Sequence, residues 1–195
     1  MNNRKFLTVI VILLTAVSIL EAQEKQAHRF TAEISGGSSV TAISVYEEDD
    51  MNIVGFAGSL RLLWEPEKLL KIGLEGGVVH LAHSKEDLVN TDFGPTIRAN
   101  TMNAYPLMII FNMKLWKAEL MMGLGAANVT SKINAFRDIS LSNVITASHM
   151  YGVGYNLPVS GRLSLGGEIK FYSFSTPEVL VGTAQLKLKY SIYEW

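Results

Sequence analysis

Thirteen formal charges lie inside eight apolar-rich stretches of this chain, and at alternating spacing all thirteen fall on one face. The stretches run over about 29–35, 54–64, 70–82, 104–115, 117–128, 144–157, 162–173 and 179–193. In the second, Val54, Phe56, Leu60, Leu62 and Trp64 share a face while Arg61 points the other way. In the seventh, Leu163, Leu165, Ile169 and Phe171 oppose Arg162, Glu168 and Lys170. Only charges beyond the first in a stretch test its phase. Six such tests pass, an accident of about one in 64 under free placement. A sheet with one greasy and one charged face follows.

The length of 195 residues suits one domain, and 48% hydrophobic residues supply ample surface for a stable fold. A net charge of −1 and the lack of any Lys/Arg-rich run give no footprint for nucleic acid. With no cysteine, disulfides, thiolate metal sites, a cysteine nucleophile and an acylated lipoprotein cysteine are excluded. Residues 1–22 read as a secretory signal: Arg4 and Lys5 lead an apolar run from Phe6 to Leu20, and Ala22 offers a small residue before Gln23. The expected division is therefore a signal peptide over 1–22 and a barrel domain over 23–195.

Connections between the stretches alternate in length. Long polar ones are expected at about 36–53, 84–103 and 129–143, and short ones around Pro66, Trp116 and Pro158–Gly161. In an up-and-down meander the long connections emerge at one end and the short turns at the other, the asymmetry of bacterial outer-membrane barrels. Trp64, Trp116 and Trp195 then gather at the short-turn end, as a headgroup-level aromatic belt requires. Strands of 11 to 14 residues exceed the roughly 9–11 that a tilted crossing needs.

Alternation alone also fits a soluble periplasmic lipocalin-like barrel, greasy inside and carrying an apolar ligand. Against it, the proposed outer face holds no Lys, Arg, Asp or Glu in any of the eight stretches. A cation there would cost about 2–4 kcal/mol at the midplane of a bilayer. The interior would carry a charge network of Arg61, Glu75, Glu119, Arg162, Glu168, Lys170 and Lys187, with Glu75 and Glu168 as the acids to pair with Arg61 and Lys170. Eight strands enclose a space just wide enough for side chains, so these ions must pair or reach the wet rims, and the interior is a plug rather than a pore.

The signal ending at Ala22, alternating strands such as Leu180–Leu188 and the terminal Tyr193-x-Trp195 resemble the small eight-stranded outer-membrane β-barrel superfamily, with its OmpA/OmpX-like transmembrane domain. The resemblance covers nearly all of residues 23–195. It implies an all-β, eight-stranded antiparallel up-and-down transmembrane barrel in the bacterial outer membrane, with outer-membrane lipid around it. It also implies recognition of the C-terminal strand by the barrel-assembly machinery. The sequence departs from that signal: Leu186, Leu188, Tyr190 and Ile192 run out of phase with Tyr193 and Trp195, which demands a bulge or a shifted strand end.

Candidate chemistry is sparse. Lipid A-modifying acyl hydrolases among such barrels need a serine and a histidine on one side, two residues apart, whereas Ser148–His149 and His83–Ser84 are adjacent and oppose each other. His80 and His83, three apart, would need a bulge between them to share a metal. Glu47, Glu48, Asp49 and Asp50 read as a solvated acidic surface loop without the spacing of a calcium site. The expectation is a barrel with no catalytic residue, metal or cofactor. It acts as structural element, adhesin or membrane-complex subunit through its surface loops, with a surface or membrane-complex protein as the prospective partner.

Overall fold

In a computed structural model the described residues are 28–43, 51–66, 69–91, 94–135 and 138–194. The signal segment 1–22, the acidic run Glu47–Asp50 and Trp195 lie outside them. Nine strands follow in order: β1 (Arg29–Ile43), the two-residue β2 (Met51–Asn52), β3 (Val54–Glu65), β4 (Leu70–Thr91), β5 (Gly94–Leu115), β6 (Ala118–Ala135), β7 (Asp138–Pro158), β8 (Leu163–Ser175) and β9 (Glu178–Glu194). Each long strand pairs antiparallel with its chain neighbour, and β1 pairs with both β3 and β9, so the eight long strands close into an up-and-down barrel.

The register sets the barrel's shape. A row of paired residues runs from Arg61 through Glu75, Met108, Gly125, Ser148, Phe174 and Val179 to Ile43. Arg61 also pairs with Glu33, so one circuit climbs from Glu33 to Ile43, ten residues along β1. For eight strands that stagger belongs with a strand tilt of about 40° and an interior filled by side chains.

Alternation then sorts the side chains. Outward positions Leu60, Leu62, Leu74, Leu107, Ile109, Leu124, Val153, Leu165, Ile169 and Leu188 are each at least two-fifths exposed, while Arg61, Glu75, Lys170 and Lys187 between them are almost fully buried. A water-soluble barrel would reverse this order. The exterior is a lipid-facing surface.

Three expectations are corrected. The connections placed at 36–53, 84–103 and 129–143 are largely strand: β1 continues through Gly36–Ser39 to Ile43, β4 and β5 run to Thr91 and from Gly94, and β6 and β7 run to Ala135 and from Asp138. Beyond the lipid neither face of a strand must be greasy, so the hydrophobic period disappears while backbone pairing continues. Arg162, expected inside, lies exposed in the turn before β8, where its carbonyl accepts the Ser191 N–H at 2.8 Å. The interior is also not charged throughout: its upper part, toward the long hairpins, is lined by residues of an apolar cluster, Val79, Leu81, Phe174 and Val181 among them. In these strands small and apolar residues occur on both faces, which period-two reading cannot assign to lipid or lumen.

The out-of-phase C-terminus is resolved by a bulge. Phe30 pairs with Tyr193 and Thr31 with Ser191, leaving Ile192 as the extra residue on β9. The inserted residue lets Tyr190, Ile192 and Tyr193 all reach the outside.

Candidate functional site

The barrel interior has two storeys. In the lower, short-turn half the charges form a circuit. Glu33 meets Arg61 at 2.7 Å, Arg61 meets Glu75 at 2.6 Å, Glu75 meets Lys170 at 3.1 Å and Lys170 meets Glu168 at 2.9 Å. Glu168 then meets Lys187 at 3.6 Å, Lys187 meets Glu119 at 3.0 Å and Glu119 meets Lys71 at 2.5 Å. Lys71 meets Glu65 at 3.4 Å, Glu65 meets Lys189 at 2.7 Å, and Lys189 closes the circuit on Glu33 at 3.8 Å. Cation and carboxylate alternate at every step, so the linked set sums to zero charge. Burial without such pairing would cost several kcal/mol per ion.

Arg61 is the hub. Its guanidinium donates to Glu33, Glu75 and Glu168, using the planar fork that distinguishes arginine from lysine. Space for the lysines comes from β7: a Cβ at Gly154 would stand 3.1 Å from Lys187 Nζ, and one at Gly152 would stand 3.0 Å from Lys170 Cγ. Tyr172 joins the storeys. Its hydroxyl donates to Glu75 at 2.7 Å, its ring lies 5.6 Å from Lys170 Nζ, and it stacks on Phe174 at 6.3 Å. Ionic and apolar side chains, nearly all of them buried, occupy the lumen.

Of the residues expected in the network, Arg61, Glu75, Glu119, Glu168, Lys170 and Lys187 come together and Arg162 does not. Sequence reasoning misses Glu65, although it shares the face of Arg61 and Leu63; ending the stretch at Trp64 removes it from view. It misses Tyr172 because an aromatic inside a strand carries no signal of direction beyond parity. Trp64 points outward at the lower end of β3, stacked 6.2 Å from His28. Trp116 occupies the two-residue turn between β5 and β6 with φ 59°, 85% exposed, with Lys117 Nζ 5.3 Å from its ring. A non-glycine residue in that region is strained, and here it sets an indole at the lower rim.

At the other end the barrel is uneven. β4 to β7 continue well past β8 and β9, whose tight turn is at 176–177, and rise as a four-stranded sheet. β7 pairs with β6 along this whole stretch but with β8 only from Ser148 onward, so the other side of residues 138–147 is an edge with no strand beside it among the described residues. Residues 140–145 of that edge are exposed, Leu141 to 67% and Ile145 to 81%.

Ser148 is buried and points inward, whereas His149 points outward and packs edge-on against Tyr151 at 5.7 Å. Ser84 and His83 diverge likewise. No group of three or more His, Cys, Asp or Glu suited to a metal occurs among the described residues.

No family model matches the sequence, and no curated protein matches it. Solved structures match in fold. A major outer membrane protein from Thermus thermophilus superposes with a TM-score of 0.58 at 13% identity, over 85% of this chain and 99% of that one. Ail, the attachment invasion locus protein of Yersinia pestis, in complex with the heparin analogue sucrose octasulfate, gives 0.54 at 14% identity, over 87% and 100%. Neisserial surface protein A gives 0.50 at 10% identity, over 86% and 100%.

Proposed function

We propose, for a chain that has the fold of the small eight-stranded outer-membrane β-barrels, a non-enzymatic role as a plugged anchor that holds a raised β-sheet above the membrane to bind a surface or membrane-complex protein. The observation that carries this reading is the unequal height of the strands. A barrel serving only to fill the membrane needs no sheet beyond the lipid, yet β4 to β7 project and leave the apolar-rich 138–147 edge unpaired among the described residues. An exposed edge offers a row of backbone donors and acceptors to an added strand, and natural proteins normally blunt such edges with charge. Between Ile139 and Ser148 there is no charged residue. The filled lumen speaks for binding at the surface rather than passage through the barrel.

The test is cross-linking on intact cells from a photoreactive residue at Ser142. The expected result is a discrete adduct that disappears when Leu141→Lys and Ile145→Lys are introduced together, with the barrel still shifting in gel mobility on boiling. An adduct pattern unchanged by the two lysines would overturn the edge as the binding element.

A further inference from the structure

His80 and His83 are separated by two residues, a spacing that puts them on opposite faces of a regular strand. The structure removes that opposition. His80 pairs with Asn103 and Ala82 with Met102, so Leu81 is an extra residue on β4, a β-bulge. His83 then pairs with Thr101, the next outward position on β5, and both imidazoles stand on the outer face in successive places. Leu81 and Ala82 both turn inward and are buried.

The two rings are also held by the same nitrogen. His80 Nδ1 lies 2.8 Å from Asn103 Oδ1, and His83 Nδ1 lies 3.0 Å from Thr101 Oγ1. With the Asn103 carbonyl oxygen facing it, the contact is made by the Nδ1–H tautomer of His80, which leaves the lone pair on Nε2. The threonine hydroxyl accepts equally well, and metal binding at His83 Nε2 selects that same tautomer. Phe56 stacks flat on His80 at 5.9 Å and 11°, fixing the ring from the neighbouring strand. Ser39 donates to the His80 carbonyl at 2.9 Å, which pins the backbone at the bulge. Both side chains are half-buried, beyond the outward apolar row of Leu74 and Val78 on β4.

We infer that His80 and His83 form a two-histidine chelate for a divalent transition-metal ion such as Cu²⁺ or Zn²⁺ on the outer face of the barrel. Two imidazoles on adjacent same-face positions, each oriented through Nδ1 by an oxygen partner, are the ligand and support arrangement such ions select, with solvent completing the coordination. The bulge makes the site conditional on folding: an unfolded chain has the residues but not their shared face.

The experiment is Cu²⁺ titration of the tag-free barrel folded in detergent micelles, followed by electron paramagnetic resonance. The expected result is one bound ion whose superhyperfine pattern reports two imidazole nitrogens. His80→Gln and His83→Gln should each weaken binding at least about tenfold, and Asn103→Ala about tenfold through loss of ring orientation. His149→Gln should leave it unchanged. In wild-type protein, where no variant has to fold, Zn²⁺ should protect both histidines together from diethyl pyrocarbonate. Absence of binding, a one-nitrogen signal, equal affinity in the heat-unfolded chain, or affinity retained when both histidines are replaced would overturn the assignment.

Discussion

Replacing Arg61 by Met removes the hub of the buried circuit while keeping much of its volume, and the geometry specifies which carboxylate suffers. Glu75 keeps Lys170 at 3.1 Å and the Tyr172 hydroxyl at 2.7 Å. Glu168 keeps Lys170 at 2.9 Å and Lys187 at 3.6 Å. Among the described residues Glu33 keeps only Lys187 at 3.9 Å and Lys189 at 3.8 Å, and its Oε1 has no hydrogen-bond partner there to begin with. Breaking a buried ionic pair by removing one partner costs about 3–5 kcal/mol, because a charge is left uncompensated. Arg61→Met should therefore destabilise the barrel by about that amount. Adding Glu33→Gln restores zero charge in the linked set and removes the orphan. It should recover about 1–3 kcal/mol, the cost of an unsatisfied buried group. Adding Glu75→Gln restores the same charge but recovers less, since Glu75 had partners to spare. The assay is reversible urea unfolding in lipid vesicles followed by tryptophan fluorescence, read as a double-mutant cycle. A loss below about 1 kcal/mol for Arg61→Met, or a better rescue by Glu75→Gln than by Glu33→Gln, would refute the circuit as the element that makes these charges tolerable.

Leu107→Arg places a cation well inside the lipid face and should cost about 2–4 kcal/mol, abolishing the boiling-dependent gel shift of membrane-inserted protein, whereas Leu165→Arg, close to the lower end of β8, should cost less. Both variants inserting normally would contradict the lipid-facing exterior. Tyr172→Phe keeps the ring contacts and removes the hydroxyl from Glu75, for an expected loss of about 1–2 kcal/mol in the same urea assay, whereas an unchanged midpoint would show that the hydroxyl contributes nothing. Gly154→Val sets side-chain atoms against Lys187 Nζ and should lower the urea midpoint more than Gly161→Val, a position with open space around its Cβ; equal effects would refute the space-making role of Gly154.

Much of the barrel is legible in one dimension because lipid imposes a one-dimensional rule. Every outward position within the membrane must be apolar, and side chains alternate, so charge parity in β3 and β8 reports the two faces directly. The same parity collects nine of the ten ions of the circuit, all but Glu65, and the phase conflict between Ile192 and Tyr193 announces the bulge that the β1–β9 register contains. The rule ends where the lipid ends. Over 84–103 and 129–143 the alternation of polarity vanishes, so segments that are strand read as loop. Turn position likewise decides Arg162, whose parity fits the interior although its place in the chain is the exposed connection before β8.

What the sequence determined by itself is the class of object: a two-faced sheet, its crossing number and the side that meets lipid, all consequences of hydrophobic parity. Tertiary structure decided what parity cannot carry. Closure with a ten-residue stagger brings β1, β3, β4, β6, β8 and β9 to one lumen, so ten charges distant in the chain alternate around a closed path. A bulge at Leu81, invisible in composition, turns two opposed histidines into neighbours. Each depends on register between strands, which is fixed by pairing across the barrel rather than by the order of residues within any strand.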